Sequence, residues 1–365
     1  MAPSRIKSRP IYLDIVKWRA KMLSMNTVSS IQDTPSTEPL QDGFQRSITY
    51  LRLSVTDRCD FRCLYCMAEE MIFQPRDQIL RLEELVAVAR TFVALGVQKI
   101  RLTGGEPLIR RGFVDLVRQL ADLPGLKELA MTTNGARLAA LAGPLRDAGL
   151  DRLNVSLDSL QPDRFRAITR VGSLEAVLAG IEAARQAGFQ RIKLNVVPMR
   201  NRNFDEIPDL VRFAVERALD ISFIEEMPLG LVDDRSRAEE FCSSEEVRTE
   251  LSSAFDLIPS THSSGGPARY WQVAGTSTRV GFISPHSHNF CGSCNRVRVT
   301  ADGLLLPCLG HEQATDLRPA LREAADTEGA LRQLIRAGID KKPEKHHFVL
   351  TESPVIFRHM NRTGG

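Results

Sequence analysis

No stretch of this sequence holds 18 consecutive apolar residues, and no secretory hydrophobic region is evident, so neither a membrane span nor an export signal is expected. Net charge is also small. The 48 Lys and Arg against 45 Asp and Glu leave +3, which argues against general nucleic-acid binding but allows basic residues to gather in one pocket. Cysteine is scarce and clustered. Of seven, Cys59, Cys63 and Cys66 form one triplet and Cys291, Cys294 and Cys308 a second, leaving only Cys242, which reads as a structural thiol. This is a poor disulfide framework, and thiols that must stay reduced argue for a cytoplasmic setting.

Each triplet is one short of the four thiolates that close an ordinary iron–sulfur cluster, so a cluster held by three has an open iron for a ligand. The first spacing, C-x3-C-x2-C, resembles the radical S-adenosylmethionine (SAM) superfamily; zinc favours C-x2-C pairs in closed four-ligand shells. The second, C-x2-C-x13-C, is compatible with zinc and a fourth ligand such as His286, His288 or His311, or with a second 4Fe–4S cluster. The first triplet favours the cluster.

With 365 residues and a 43% hydrophobic fraction, the chain can bury a large core. Strands are expected at 51–55, 97–103, 127–133, 151–157, 191–197 and 220–225, with helices between them such as 82–95 and 173–187, each followed by glycine. Six βα units predict a parallel sheet that curls into an incomplete (βα)6 TIM-like barrel, with ligands at the strand ends. Charged residues 235–250 read as a surface helix, 260–267 as a loop, and 269–273 and 278–283 as further strands. The expected organisation is an N-terminal extension over 1–43, a barrel over 44–255, a smaller α+β cluster domain over 256–345 and a tail over 346–365. The extension is basic (Arg5, Lys7, Arg9, Lys17, Arg19, Lys21) and then polar; it reads as disordered or as an early start ahead of Met25, with a targeting segment the alternative.

At the strand ends, Thr103-Gly-Gly-Glu-Pro107 allows close backbone approach, and the Glu106 carboxylate can accept bonds from an ammonium. Arg296 and Arg298 alternate on a strand beside the second triplet, where two guanidiniums suit a polyphosphate.

The runs Leu51-Arg-Leu-Ser-Val-Thr-Asp-Arg-Cys59, Lys99-Ile-Arg-Leu-Thr-Gly-Gly-Glu-Pro107, Met131-Thr-Thr-Asn-Gly135, Asn154-Val-Ser-Leu-Asp158, Lys193-Leu-Asn-Val-Val197 and Phe223-Ile-Glu-Glu-Met227 resemble the GTP 3',8-cyclase family of radical SAM lyases. The second triplet and the terminal Gly364-Gly365 extend the resemblance from about residue 44 to the end.

The resemblance implies two 4Fe–4S clusters, each on three cysteines, and SAM bordered by Tyr65, Gly105, Ser156 and Met227. GTP contacts are implied at Arg52, Arg101, Thr132, Lys193, Arg296, Val297 and Arg298, with Lys99 a weaker candidate. A 5'-deoxyadenosyl radical would take the ribose C3' hydrogen, giving 3',8-cyclo-7,8-dihydro-GTP in the first step of molybdenum cofactor biosynthesis. Implied partners are a flavodoxin- or ferredoxin-type reductant, a downstream cyclic pyranopterin monophosphate synthase and, optionally, a second copy; no nucleic acid or membrane is implied. Gly364-Gly365 resembles a tail that reaches the active site. Asp60, Ala68 and Ser222 depart from the family's usual Asn, Pro and Arg. The alternatives are another radical SAM enzyme with an auxiliary cluster, such as a peptide maturase, and a zinc-binding scaffold.

Overall fold

The computed structural model describes residues 39–231, 235–350 and 356–364. The N-terminal segment 1–38 and Gly365 lie outside the described residues, as does most of the expected extension. Leu40 and Asp42 are already buried, and Pro39 begins the compact unit that runs to the C-terminus.

The expected strands form as β1 (Tyr50–Ser54), β2 (Lys99–Thr103), β3 (Glu128–Thr133), β4 (Arg152–Ser156), β5 (Ile192–Val196) and β6 (Asp220–Ile224). They pair in sequence order, all parallel. Alternation decides what each strand contributes. Leu51, Leu53, Ile100, Leu102, Leu153, Val155, Leu194 and Val196 are fully buried core residues. The residues between them, including Arg52, Arg101, Asn154, Ser156, Lys193 and Asn195, line a cavity.

The core face is covered by amphipathic helices. In Leu82–Ala94, Leu85, Val88, Ala89 and Phe92 are inaccessible, spaced to make one face. Gly96 ends that helix at φ +100°, a left-handed geometry that glycine adopts without a Cβ clash.

The remaining strands are β7 (Leu257–Ser260), β8 (Arg269–Val273), β9 (Arg279–Ile283), β10 (Arg296–Val299), β11 (Leu304–Leu306) and β12 (Thr315–Asp316). They extend the same sheet. The order is β12-β11-β10-β1-β2-β3-β4-β5-β6-β9-β8-β7. β10 is parallel to β1 and β9 parallel to β6, so the C-terminal segment adds one parallel strand at each side of the six and caps each side with antiparallel partners. The linear order leaves the barrel incomplete.

One expectation is corrected. Residues 235–250 do not form a surface helix but two pieces, Arg237–Glu240 and Ser244–Ser252. Arg235 and Arg237 turn inward to pair with Glu226, and Arg235 also meets Glu240 at 2.9 Å. Buried guanidiniums require such anions, and a count of charges along the sequence cannot separate this arrangement from a solvated face.

Candidate functional site

The strand ends and the C-terminal segment enclose one cavity with about 2070 Å³ of space between atoms, counted out to its open mouth. All six paired-triplet cysteines border it, and all are free thiols.

At one end, the loop after β1 carries Cys59, Cys63 and Cys66. Its start is laced to the glycine pair after β2: Gly105 N donates to Thr56 O at 2.8 Å and Glu106 N to Arg58 O at 2.8 Å. A Cβ on Gly105 would lie 2.2 Å from Arg58 O, so this close backbone approach requires glycine. Glu106 is spent on structure. Its carboxylate accepts from Leu108 N, Thr133 Oγ1 and Asn134 N at 2.6–2.9 Å, holding the end of β3. The residue that could meet an ammonium on sequence grounds is therefore turned into the scaffold.

The donor set fits a sulfur-ligated cluster. Phe61 N donates to Cys59 Sγ at 3.3 Å, with Asn134 Nδ2 3.9 Å away, support of the kind that tunes thiolate-bound clusters. Burial pushes the Cys66 thiol up to about 12, so bound metal would have to draw off its proton. Asp60 is accommodated: it accepts from Asn134 Nδ2 at 2.7 Å and Arg137 Nε at 2.9 Å. Tyr65, Gly105, Ser156 and Met227 all line the same cavity as these cysteines, and Tyr65 donates to Asp158 at 2.7 Å. Burial raises Asp158 to about 6. Asp158 stands in the Asn-Val-Ser-Leu-Asp run, but as a site residue it was not singled out from sequence.

The second triplet lies beside β10. Lys342, also missed in the sequence, is buried and donates to Arg296 O at 2.9 Å, Pro307 O at 2.7 Å and Cys294 Sγ at 3.5 Å. Burial raises Cys294, but Arg296 and Lys342 outweigh it and bring the thiol down to about 7. Of the three candidate histidines, His286 meets Glu226 O at 2.9 Å, His311 meets Lys345 O at 3.0 Å, and His288 is exposed.

Cations line the cavity beside it. Arg52 and Arg298 are register partners on β1 and β10, and Arg52 and Arg101 on β1 and β2. Arg101 also reaches Met131 O at 3.1 Å and Thr132 Oγ1 at 3.5 Å. Lys193 contacts Tyr270 OH at 3.3 Å. Lys99 is held by Glu128 at 2.6 Å and Ser264 O at 2.8 Å. Val297, between the two β10 arginines, joins the hydrophobic core. Ser222 is fully buried and its hydroxyl has no partner among the described residues.

The chain's end comes into this row. Met360 N donates to Cys66 O at 3.1 Å and Asn361 Nδ2 to Asp57 O at 2.8 Å, laying helix Met360–Thr363 on the first cysteine loop. Gly364 O then accepts from Arg298 and, at 3.5 Å, from Arg52. A Cβ there would stand 2.1 Å from Thr103 Oγ1, and φ is +77°.

A family model for the Radical SAM superfamily matches residues 53–214, and one for Molybdenum Cofactor Synthesis C matches 219–348. The GTP 3',8-cyclase of Pseudomonas putida strain W619 is 61% identical over 331 residues, 90% of this chain and 99% of that protein. The chain belongs to the GTP 3',8-cyclase family. Another family member, from Marinobacter nauticus, is 57% identical over 89% of this chain and 98% of its own length. Among solved structures, Streptococcus suis SuiB superposes with a TM-score of 0.58 at 14% identity, over 87% of this chain and 78% of SuiB, which carries the fold alone. Family membership favours the cyclase over a peptide maturase or a zinc scaffold.

Proposed function

We propose that this chain is a GTP 3',8-cyclase, a radical SAM lyase converting GTP to (8S)-3',8-cyclo-7,8-dihydroguanosine 5'-triphosphate at the first step of molybdenum cofactor biosynthesis. The observation that carries the reading is a single cavity bordered by two cysteine triplets and a row of cations. When bound at Cys59, Cys63 and Cys66, a 4Fe–4S cluster with SAM supplies a 5'-deoxyadenosyl radical able to take the C3' hydrogen of GTP.

The protein's own task is orientation and exclusion of water. In this reading Tyr65, Gly105, Ser156 and Met227 border SAM. Arg52, Arg101, Thr132, Lys193, Arg296, Arg298 and the backbone at Val297 hold the nucleotide; guanidiniums suit its phosphates because they donate in pairs. Cys291, Cys294 and Cys308 would hold a second 4Fe–4S cluster, and three thiolates would leave it able to take a ligand from the guanine end. The barrel of 44–255 thus serves SAM and supplies Arg52, Arg101, Thr132 and Lys193 to the nucleotide, the 256–345 segment adds the second cysteine triplet with Arg296 and Arg298, and the tail lies on the phosphate cations. Electrons come from a flavodoxin- or ferredoxin-type donor in the cytoplasm, and the product passes to cyclic pyranopterin monophosphate synthase; a homodimer is compatible with the reading.

The test is an anaerobic assay of reconstituted protein with SAM, dithionite and GTP. Both 5'-deoxyadenosine and a cyclised nucleotide are expected, dependent on GTP. 5'-Deoxyadenosine with GTP untouched would leave the radical chemistry and remove the substrate.

A further inference from the structure

Lys99, Arg101, Arg52 and Arg298 line one cavity, with Glu128 2.6 Å from Lys99. Between these cations stands Tyr50. It is 4% exposed and opens β1. Its hydroxyl oxygen lies 2.6 Å from Arg101 Nε, it is hydrogen-bonded to Arg52, and Lys99 Nζ sits 4.9 Å from its ring centroid. Guanidiniums donate and never accept. A phenol oxygen facing two of them is best placed to accept from both, and the group that does so most strongly is the phenolate.

We propose that Tyr50 is the resident counter-anion of the triphosphate site: its phenolate oxygen holds Arg52 and Arg101 until the phosphates of GTP arrive, when it takes a proton from solvent and releases them. Tyr50 is thereby a positioning residue, and the inference rests on the cyclase reading of the site.

The surroundings agree. Burial alone would raise Tyr50, but Arg101, Arg52 and Lys99 outweigh it and bring the phenol down to about 7 from its ordinary 10. The charged groups facing it are Arg52 on its own strand, Lys99 and Arg101 on β2, its register partner Arg296 and Arg298 on β10, and Glu128 on β3 through Lys99. An arriving polyanion takes over these cations and so favours the protonated phenol. GTP binding is then coupled to proton uptake and weakens as pH rises above about 7, approaching roughly tenfold per pH unit for one linked proton.

The experiment is titration calorimetry of GTP into the reconstituted holoenzyme at about pH 8.5, in two buffers of different ionisation enthalpy. At that pH the terminal phosphate of GTP is already ionised and has no proton to release. Wild type should take up close to one proton per GTP. Tyr50→Phe should lose that uptake, bind GTP with little pH dependence, and bind at least as tightly as wild type at pH 8.5. Uptake that persists in Tyr50→Phe would place the proton on Lys99 or Lys193 and overturn the inference, as would GTP binding to wild type without uptake. No GTP binding at any pH would overturn the substrate reading and this inference together. Should Tyr50→Phe fail to fold, Lys99→Gln carries the test: with one cation fewer, the pH midpoint of GTP affinity must move upward, and an unmoved midpoint overturns the idea.

Discussion

The two cysteine triplets offer the same three donors in opposite surroundings. Beside Cys59 and Cys63 the side chains that act on the thiols are acids and neighbouring thiols, while Arg62 is turned onto the Cys59 carbonyl at 2.7 Å. Burial first, then the Glu106 carboxylate, pushes Cys59 upward; burial, then the Cys66 thiol and Asp158, pushes Cys63 upward; burial alone raises Cys66. Beside Cys294 the neighbours are Arg296 and Lys342, and they overcome burial. The first set must therefore draw its thiolate character from bound metal, whereas the second is partly prepared by the protein. The same polarity matches the proposed ligands. SAM brings a sulfonium cation and GTP a polyanion, so each end of the cavity carries charge complementary to its guest.

The harshest way to break this comparison is to remove a donor from the acidic end. Cys63→Ser should reduce GTP-dependent 5'-deoxyadenosine formation to background, and leave roughly half the iron, that of the other cluster. Iron analysis and product mass decide it; retention of SAM cleavage would show that Cys63 is not a ligand. Next comes the basic end. Arg298→Ala and Arg296→Ala should each weaken GTP binding by about 10- to 100-fold, from charge-assisted bonds of about 1.5–3 kcal/mol. SAM binding should change by less than about twofold, and equal loss of both affinities would mean the ends are wrongly assigned. Lys342→Met sharpens the contrast. Losing a cation 3.5 Å from Cys294 Sγ should lower the potential of the second cluster alone, by about 60 mV, a tenfold change for a one-electron couple. A redox titration followed by electron paramagnetic resonance reads both clusters. The smallest effect belongs to Asp60→Asn. The Arg137 pair it removes is half exposed, so thermal unfolding should register about 0.5 kcal/mol or less.

The fold was legible where one rule governs many residues. Alternation along Leu51–Val55 or Ile192–Val196 marks a strand, and helices with terminal glycine mark the return, so the six βα units emerge from local pattern. β9 and β10 are different. The strand at 278–283 is visible in sequence, yet nothing local says that it joins β6 in parallel, because that pairing is decided by contacts distant in the chain. The Arg296-Val-Arg298 alternation announced two inward guanidiniums, and the cysteine spacings announced two ligand sets. Single residues were harder. Tyr50 is one apolar-looking position opening a strand, and Lys342 one lysine among several near Lys341 and Lys345. Their roles come from what surrounds them in space, which no spacing records. Glu106 fails in the other direction: its motif is conspicuous, and its carboxylate is spent on the backbone.

The parallel pairing of β10 with β1 also sets an order of events during synthesis. The first cysteine loop leaves the ribosome early, but Arg298, its register neighbour Arg52 and the Gly364 carbonyl can meet only when nearly the whole chain has emerged. Contacts this far apart in sequence are slow to form. A nascent or truncated chain would thus expose the first cysteine loop before Arg296 and Arg298 complete the basic end. Metal delivered at that moment would load a site that can receive SAM and has no nucleotide to act on, so completion of the C-terminus is what joins reactivity to its target.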